Sequence, residues 1–151
     1  MSDPLASLYQ EVILDHSRRR AGEGELPDAD AAHFERNPTC GDELTMRVRL
    51  DATGERVKAL AWQGDGCSIS MASASVLSEL AVGRTVEEVD ELVSTFRELL
   101  RRREPSEADE ELLEDAIAFR GVAKFVMRVK CAMLAWVALE AAVAEARVSR
   151  D

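Results

Sequence analysis

The sequence predicts an α+β fold, a small three-stranded antiparallel sheet packed against a layer of helices, on three observations. Leu44, Met46, Val48 and Leu50 alternate with Thr45, Arg47, Arg49 and Asp51, the period of two that marks a half-buried strand. From Met71 onward, apolar residues recur at helical spacing almost to the end of the chain. Strands therefore come first and helices follow, the order of a segregated rather than an alternating architecture.

Taken in order, Asp3 followed by Pro4 is a helix entry, a capping side chain and then a residue whose missing N–H costs nothing in the first turn. Leu5, Leu8, Tyr9, Val12 and His16 continue at helical spacing, so the first helix is expected to run to about Arg20. Gly22 to Asp30, rich in Gly, Pro and acids, reads as loop. The strand that starts at Glu43 turns at Thr53-Gly54 into a second, Arg56 to Gln63, making a hairpin. Gly64 and Gly66 bend the chain again, and a third extended piece is expected at Cys67 to Ser70.

That piece should run into an Ala- and Ser-rich helix, about Met71 to Val82, which Gly83 stops in a left-handed turn. Thr85 and Glu88 form a capping box, and Val86, Val89, Val93, Phe96 and Leu100 are the apolar stripe of the next helix. Pro105 ends it, and Ser106 can cap another through Ile117. Beyond Gly121 the pattern is helical, with Trp136, Val137, Leu139 and Val143 as core candidates. No repeat or linker divides the chain, so residues 1–151 are expected to form a single domain.

At 151 residues a domain buries about 70% of the surface its unfolded chain exposes, so neither a metal nor a disulfide is needed for folding. The N-terminus carries no apolar signal-like run, and no segment approaches the roughly 18 uninterrupted apolar residues of a membrane span. A soluble, cytoplasmic protein with no membrane partner is expected. The net charge of −10 repels a phosphate backbone, which argues against a nucleic-acid partner. Arg18 to Arg20 and Arg101 to Arg103 read as solvated helix ends, and the acidic run from Glu87 to Asp115 as a solubilising surface.

The chain has three cysteines, an odd number that suits reduced thiols better than a disulfide framework. Each sits in its own phrase: Asn37-Pro38-Thr39-Cys40-Gly41-Asp42, Gly64-Asp65-Gly66-Cys67-Ser68-Ile69-Ser70, and Arg128-Val129-Lys130-Cys131. Thiolates and a carboxylate are tetrahedral zinc ligands, and a turn at Gly41 would let Cys40 and Asp42 converge on one ion. Cys67 precedes a helix, whose N-terminal dipole favours a thiolate, while Lys130 and Arg128 are cations that would do the same for Cys131. The spacings are too long for a zinc knuckle, so a shared site requires the fold to gather three distant segments. Three unrelated buried thiols satisfy the composition equally well. His16 and His33 read as surface or helix-packing residues, Trp62 and Trp136 as core. Ser70, Ser73 and Ser75 read as a tight helix contact, with no paired His and Asp that would suggest a hydrolase.

The three cysteine phrases, with the run on to Ser75 and with Gly121-Val122-Ala123-Lys124-Phe125 leading into the third, resemble the NifU/IscU-type scaffold superfamily, specifically its SufU branch. The resemblance covers nearly the whole chain, starting with Leu8-Tyr9-Gln10-Glu11-Val12-Ile13-Leu14-Asp15-His16. Lys130 stands where IscU-type scaffolds usually have histidine, and an extra stretch, around Arg101 to Ala118, separates the second and third motifs; both traits resemble SufU. Val126-Met127 departs from relatives that often carry proline after the phenylalanine.

The resemblance implies a NifU/IscU-like fold in which Cys40, Asp42, Cys67 and Cys131 bind zinc. It implies that Cys40 accepts a sulfane sulfur from the persulfide of a SufS-type cysteine desulfurase, a non-classical sulfurtransferase role that feeds downstream cluster-assembly proteins. In the family a histidine of the desulfurase is thought to replace one zinc ligand, freeing the thiolate. Arg128 is expected to support the acceptor by keeping it anionic. The alternative is a scaffold whose same cysteines hold an iron–sulfur cluster in place of zinc.

Overall fold

A computed structural model describes residues 4–150. Asp3, read above as the first helix cap, lies outside the described residues. Helix α1 spans Pro4–Arg19 and is followed by the loop that the Gly, Pro and acidic residues foretell. Strands β1 (Ala31–Asn37), β2 (Asp42–Leu50) and β3 (Val57–Asp65) form one sheet in that spatial order, both pairings antiparallel. The alternation along β2 is realised directly: Leu44, Met46, Val48 and Leu50 are buried, and Thr45, Arg47 and Arg49 are only half-buried.

The third strand is β1, not the expected piece at Cys67 to Ser70. β1 is an edge strand with an exposed or half-exposed side chain at every position before Asn37. It therefore carries no run of core residues that would announce it. Cys67 instead caps helix α2 (Ser68–Ala81), whose first turn closes with the Met71 N–H on the Cys67 carbonyl at 3.1 Å.

The remaining helices are α3 (Val86–Leu100), α4 (Glu107–Leu113) and α5 (Val126–Arg150). The Thr85–Glu88 capping box opens α3, and a second box, Ser106 with Asp109, opens α4. The helix expected through Ile117 stops at Leu113, because Glu114 turns to a left-handed φ of 46° and the chain continues as 3₁₀ helix over Glu114–Lys124. The stripe on α1 is also partial: His16 is buried and Ile13 packs on the core, but Leu8 is 52% exposed.

The core lies between the sheet and the helices. Phe96 of α3 stacks on Trp136 of α5 at 3.9 Å between centroids, and Phe119 meets Phe96 edge-on at 5.8 Å. Leu139 and Val143 are buried as expected, whereas Val137 is only half-buried. Alanine and serine on α2 let α5 approach closely enough for direct polar ties. The Ser73 hydroxyl donates to the Ala132 carbonyl at 2.6 Å and accepts from the Trp136 indole N–H at 2.8 Å. These bonds set the depth of α5 beside α2. Among the described residues no helix is long and apolar enough to cross a membrane.

Candidate metal centre

Three chain segments deliver the cysteines to one end of the sheet. β1 and β2 pair as far as Asn37 opposite Asp42, leaving residues 38–41 as a tight turn. The turn closes with the Gly41 N–H on the Asn37 carbonyl at 2.8 Å, and Gly41 has a φ of +78°. A residue with a Cβ adopts that backbone only at a cost, so glycine is what lets Cys40 sit on the turn while Asp42 begins the strand. At the far end of β3, the chain passes Gly66 to Cys67 at the mouth of α2. Cys131 comes from the second turn of α5.

The Sγ atoms of Cys40 and Cys131 lie 3.4 Å apart. One ligand atom each from Cys40, Asp42 and Cys131 fall within 4.8 Å of one another. Cys67 joins the group through Asp42, its Sγ 3.6 Å from Asp42 Oδ2 and its backbone N–H donating to Oδ1 at 3.2 Å. Access is graded: Cys40 is exposed, Cys67 intermediate, and Cys131 buried along with Asp42.

This donor set fits zinc. With Zn–S about 2.3 Å and Zn–O about 2.1 Å, a tetrahedral site has sulfur–sulfur and sulfur–oxygen edges of roughly 3.8 and 3.6 Å. The observed 3.4 Å Cys40–Cys131 and 3.6 Å Cys67–Asp42 separations are close to those edges, while Cys67 stands farther from the rest of the group. Cys40, Asp42 and Cys131, all soft or anionic donors of the kind zinc takes, are the three placed to share a cation; Cys67, the fourth ligand expected from the sequence, lies outside that trio and touches it through Asp42.

Electrostatics differ from the sequence expectation at Cys131. Burial pushes its thiol far up from the ordinary cysteine value, and the nearby Asp42, Cys40 and Cys67 push the same way. Lys130 and Arg128 do not offset this; both are exposed, and neither side chain forms an ion pair or hydrogen bond among the described residues. For Asp42, burial favours the neutral acid but is outweighed by hydrogen bonds from Ser70, Cys131 and Cys67, which hold the carboxyl below its usual range. A divalent cation at the centre would reverse the penalty on the buried thiol.

Two supporting side chains escaped the sequence reading. The Ser70 hydroxyl donates to Asp42 Oδ2 at 2.5 Å and lies 3.2 Å from the Cys131 carbonyl. Asn37 is buried, with Nδ2 3.8 Å from Cys131 Sγ and Oδ1 accepting the Thr39 N–H at 3.1 Å. The signal for Ser70 was its position three residues after Cys67, one turn along the same helix face. Gly66 leaves room for the carboxylate, since a Cβ there would stand 3.0 Å from Asp42 Cγ.

Both histidines lie in other contacts, as expected. His33 sits between Glu145 and Glu35, each at 2.9 Å. His16 bridges Ser75 at 2.9 Å and Asp115 at 3.0 Å, so the structure does pair a serine with a histidine and an aspartate. Ser75 has no exposed surface, and its hydroxyl already accepts the Ala21 N–H at 3.0 Å. The trio therefore ties α1 to α2 and to the 3₁₀ segment, with no access for a substrate.

A family model described as the NifU-like N terminal domain matches residues 8–132. The zinc-dependent sulfurtransferase SufU of Bacillus subtilis (strain 168) is 38% identical over 141 residues, covering 93% of this chain and 92% of that relative. The iron-sulfur cluster assembly scaffold protein IscU of Streptococcus pyogenes serotype M1 is 39% identical over 139 residues, covering 92% of this chain and 84% of its own. Among solved structures, a scaffold protein for the SUF system from Fervidobacterium islandicum AW-1 superposes with a TM-score of 0.82 at 32% identity, covering 91% of this chain and 97% of that one. A NifU-like N-terminal protein from Brucella abortus shares the fold, with a TM-score of 0.83 at 21% identity over 93% of this chain and 94% of its own. The chain belongs to the NifU-like N-terminal domain family, as a SufU-type member of the NifU/IscU superfamily.

Proposed function

We propose that this protein is a zinc-dependent sulfur acceptor in iron–sulfur cluster assembly, loaded by a SufS-type cysteine desulfurase and unloaded to downstream cluster-assembly proteins. The observation that carries the reading is the exposed Cys40 thiol, 3.4 Å from the Sγ of buried Cys131 on a turn that ends in a candidate ligand, Asp42. Zinc, held by Cys40, Asp42, Cys67 and Cys131, supplies the positive charge that keeps buried thiols as thiolates. The name of the Bacillus subtilis relative agrees with that choice of metal.

The four side chains divide the work by exposure. Cys131 and Asp42 are walled in, and Cys67 is pinned at the start of α2, so these three hold position. Cys40 can leave the group by a movement of the residue 38–41 turn alone. Its thiolate attacks the outer sulfur of the donor's persulfide; the donor's S–S bond breaks, a new one forms on Cys40, and the donor cysteine departs as thiolate. The exchange needs no oxidant. Arg128, exposed on the first turn of α5, supports the anionic acceptor and its anionic donor from the rim.

The test is intact-mass measurement after incubation of the zinc form with desulfurase and cysteine. Wild type gains one sulfur atom, and Cys40→Ala gains none and loses stimulation of turnover. Equal loading of Cys40→Ala would overturn the reading. A second reading, a scaffold on which a cluster is built, is favoured by the similarity to the Streptococcus pyogenes IscU. It predicts that anaerobic reconstitution with iron and sulfide yields a visible chromophore that transfers to an apo acceptor.

A further inference from the structure

A cleft of about 820 Å³ opens between α1, the end of α3, and the 3₁₀ segment, outside the cysteine group. Its walls are apolar, with Ile13 and Leu14 of α1, Ile69 of α2 and Phe125 just before α5. Its rim is cationic: Arg102, Arg103, Arg120 and Lys124 line it against a single acid, Glu104, in a chain whose net charge is −10. Arg103 is paired with Glu98, and Arg120 with Glu104. Among the described residues Arg102 and Lys124 form no ion pair, and both are exposed.

Arg102 also stands where a side chain is unfavourable. Its N–H bonds to the Leu99 carbonyl at 3.1 Å and that of Arg103 to the Glu98 carbonyl at 3.2 Å, the Schellman pattern that ends a helix. The residue at that position has a φ of +68°, where glycine is the relaxed choice. An arginine held there at the mouth of a cleft suggests that its charge is used.

We propose that the cleft is a docking groove for an acidic segment of the sulfur-donor protein. Bulky apolar side chains of that segment pack against Leu14, Ile69 and Phe125, and its carboxylates meet Arg102 and Lys124. The inference rests on the sulfur-acceptor reading above. The exposed apolar wall selects a protein over a small ligand: Leu14 is 47% exposed and Phe125 62%, surface that a partner chain would cover and a buried small molecule would leave wet. The charge imbalance selects an acidic segment. The position explains its use, since Ile69 is two residues from Cys67 and Phe125 is two from Met127, whose carbonyl lies 3.7 Å from Cys131 Sγ and 4.0 Å from Cys40 Sγ. A segment seated here tethers the donor beside the acceptor thiol and raises its effective concentration.

The experiment measures binding of purified desulfurase from the same organism to the zinc-loaded full chain at about 50 mM and about 500 mM salt, where screening differs severalfold. The double variant R102E/K124E should bind at least about tenfold more weakly at low salt, with the difference shrinking at high salt. L14E should bind more weakly at both. R102G should bind more weakly while melting about 2–4 °C higher, because relief of the left-handed turn is separable from loss of the charge. Zinc content and melting temperature confirm that each variant is folded. Wild-type affinity in R102E/K124E at low salt, or in L14E, overturns the docking groove while leaving sulfur acceptance standing. Absence of any binding by wild type overturns both. Displacement of an apolar fluorophore by laurate, with desulfurase binding unchanged in R102E/K124E, also overturns it, in favour of a small anionic ligand.

Discussion

Cys40 and Cys131 are 91 positions apart in the chain, and their sulfur atoms stand 3.4 Å apart. The Met127 carbonyl, 4.0 Å from Cys40 Sγ and 3.7 Å from Cys131 Sγ, is the contact they share. The distance is set by the hairpin turn that carries Cys40 and by the depth at which α5 docks on α2, so changes away from the thiols should alter the site in graded ways.

Ser70→Ala removes the hydroxyl that donates to Asp42 Oδ2 at 2.5 Å, without touching a proposed ligand. Partners that orient a ligand typically contribute 10–100-fold in metal affinity. Zinc affinity of Ser70→Ala, measured by competition with a chromophoric chelator, should fall by about that factor while far-UV circular dichroism stays native.

Removal of zinc by a chelator should leave a folded protein. The core around Phe96, Trp136, Phe119 and Met46 is fully buried, and of the proposed ligands only Cys131 counts among the buried apolar residues. Zinc at about 100 times its Kd adds about 2.7 kcal/mol of stability, so the apo form should melt roughly 5–10 °C lower in a calorimetric scan. Unfolding on chelation would instead make the metal a purely structural staple.

Gly64→Ala should be worse than Gly41→Ala, for a different reason. A Cβ at Gly64 would lie 2.3 Å from the Glu43 carbonyl oxygen and 2.8 Å from Leu44 Cα, backbone atoms that cannot step aside. Overpacking of this kind costs about 1–3 kcal/mol or more. At Gly41 nothing lies within 4 Å of the added atom, and only the left-handed φ of +78° is strained, a cost of about 1–2 kcal/mol. Urea midpoints should rank wild type, Gly41→Ala, Gly64→Ala, and Gly41→Ala should lose zinc out of proportion to its stability.

Stability should also carry a pH signature at His33. Burial opposes the charged ring, but hydrogen bonds to Glu145 and Glu35 outweigh it and raise the folded-state value above the ordinary one. A raised histidine contributes stability that is fully present below the unfolded pKa of about 6.5 and is lost as pH rises through the folded value. His33→Gln should therefore cost more at about pH 5.5 than at about pH 8.5, read from urea unfolding at the two values.

The legible parts of this protein were those in which one physical rule acted alone. β2 is buried on one face only, so its alternation showed; Thr85 and Glu88 cap α3 by a local bond, so the box showed. β1 was missed because it is an edge strand whose side chains mostly face water, and its pairing with β2 is decided by the partner. The stop at Leu113 was missed because Glu114 turns left-handed without the glycine that normally marks such a turn. In the site, the cysteines and Asp42 stood out by chemistry and by family resemblance. Ser70 did not, since its role is written in a distance to Asp42 across 28 positions. The Ser75–His16–Asp115 trio shows the converse, a chemically suggestive set in which the burial of Ser75 and His16 makes it a fastener, with only Asp115 reaching the surface.

The entry of Cys131 from the last helix has a temporal consequence. During synthesis the nascent chain presents Cys40, Asp42 and Cys67 long before the residue that faces them, and Trp136, which fixes α5 to Ser73, emerges later still. With the proposed ligands, a truncated or half-made polypeptide would lack the closing thiol and compete poorly for scarce ions, so loading would belong to the finished molecule.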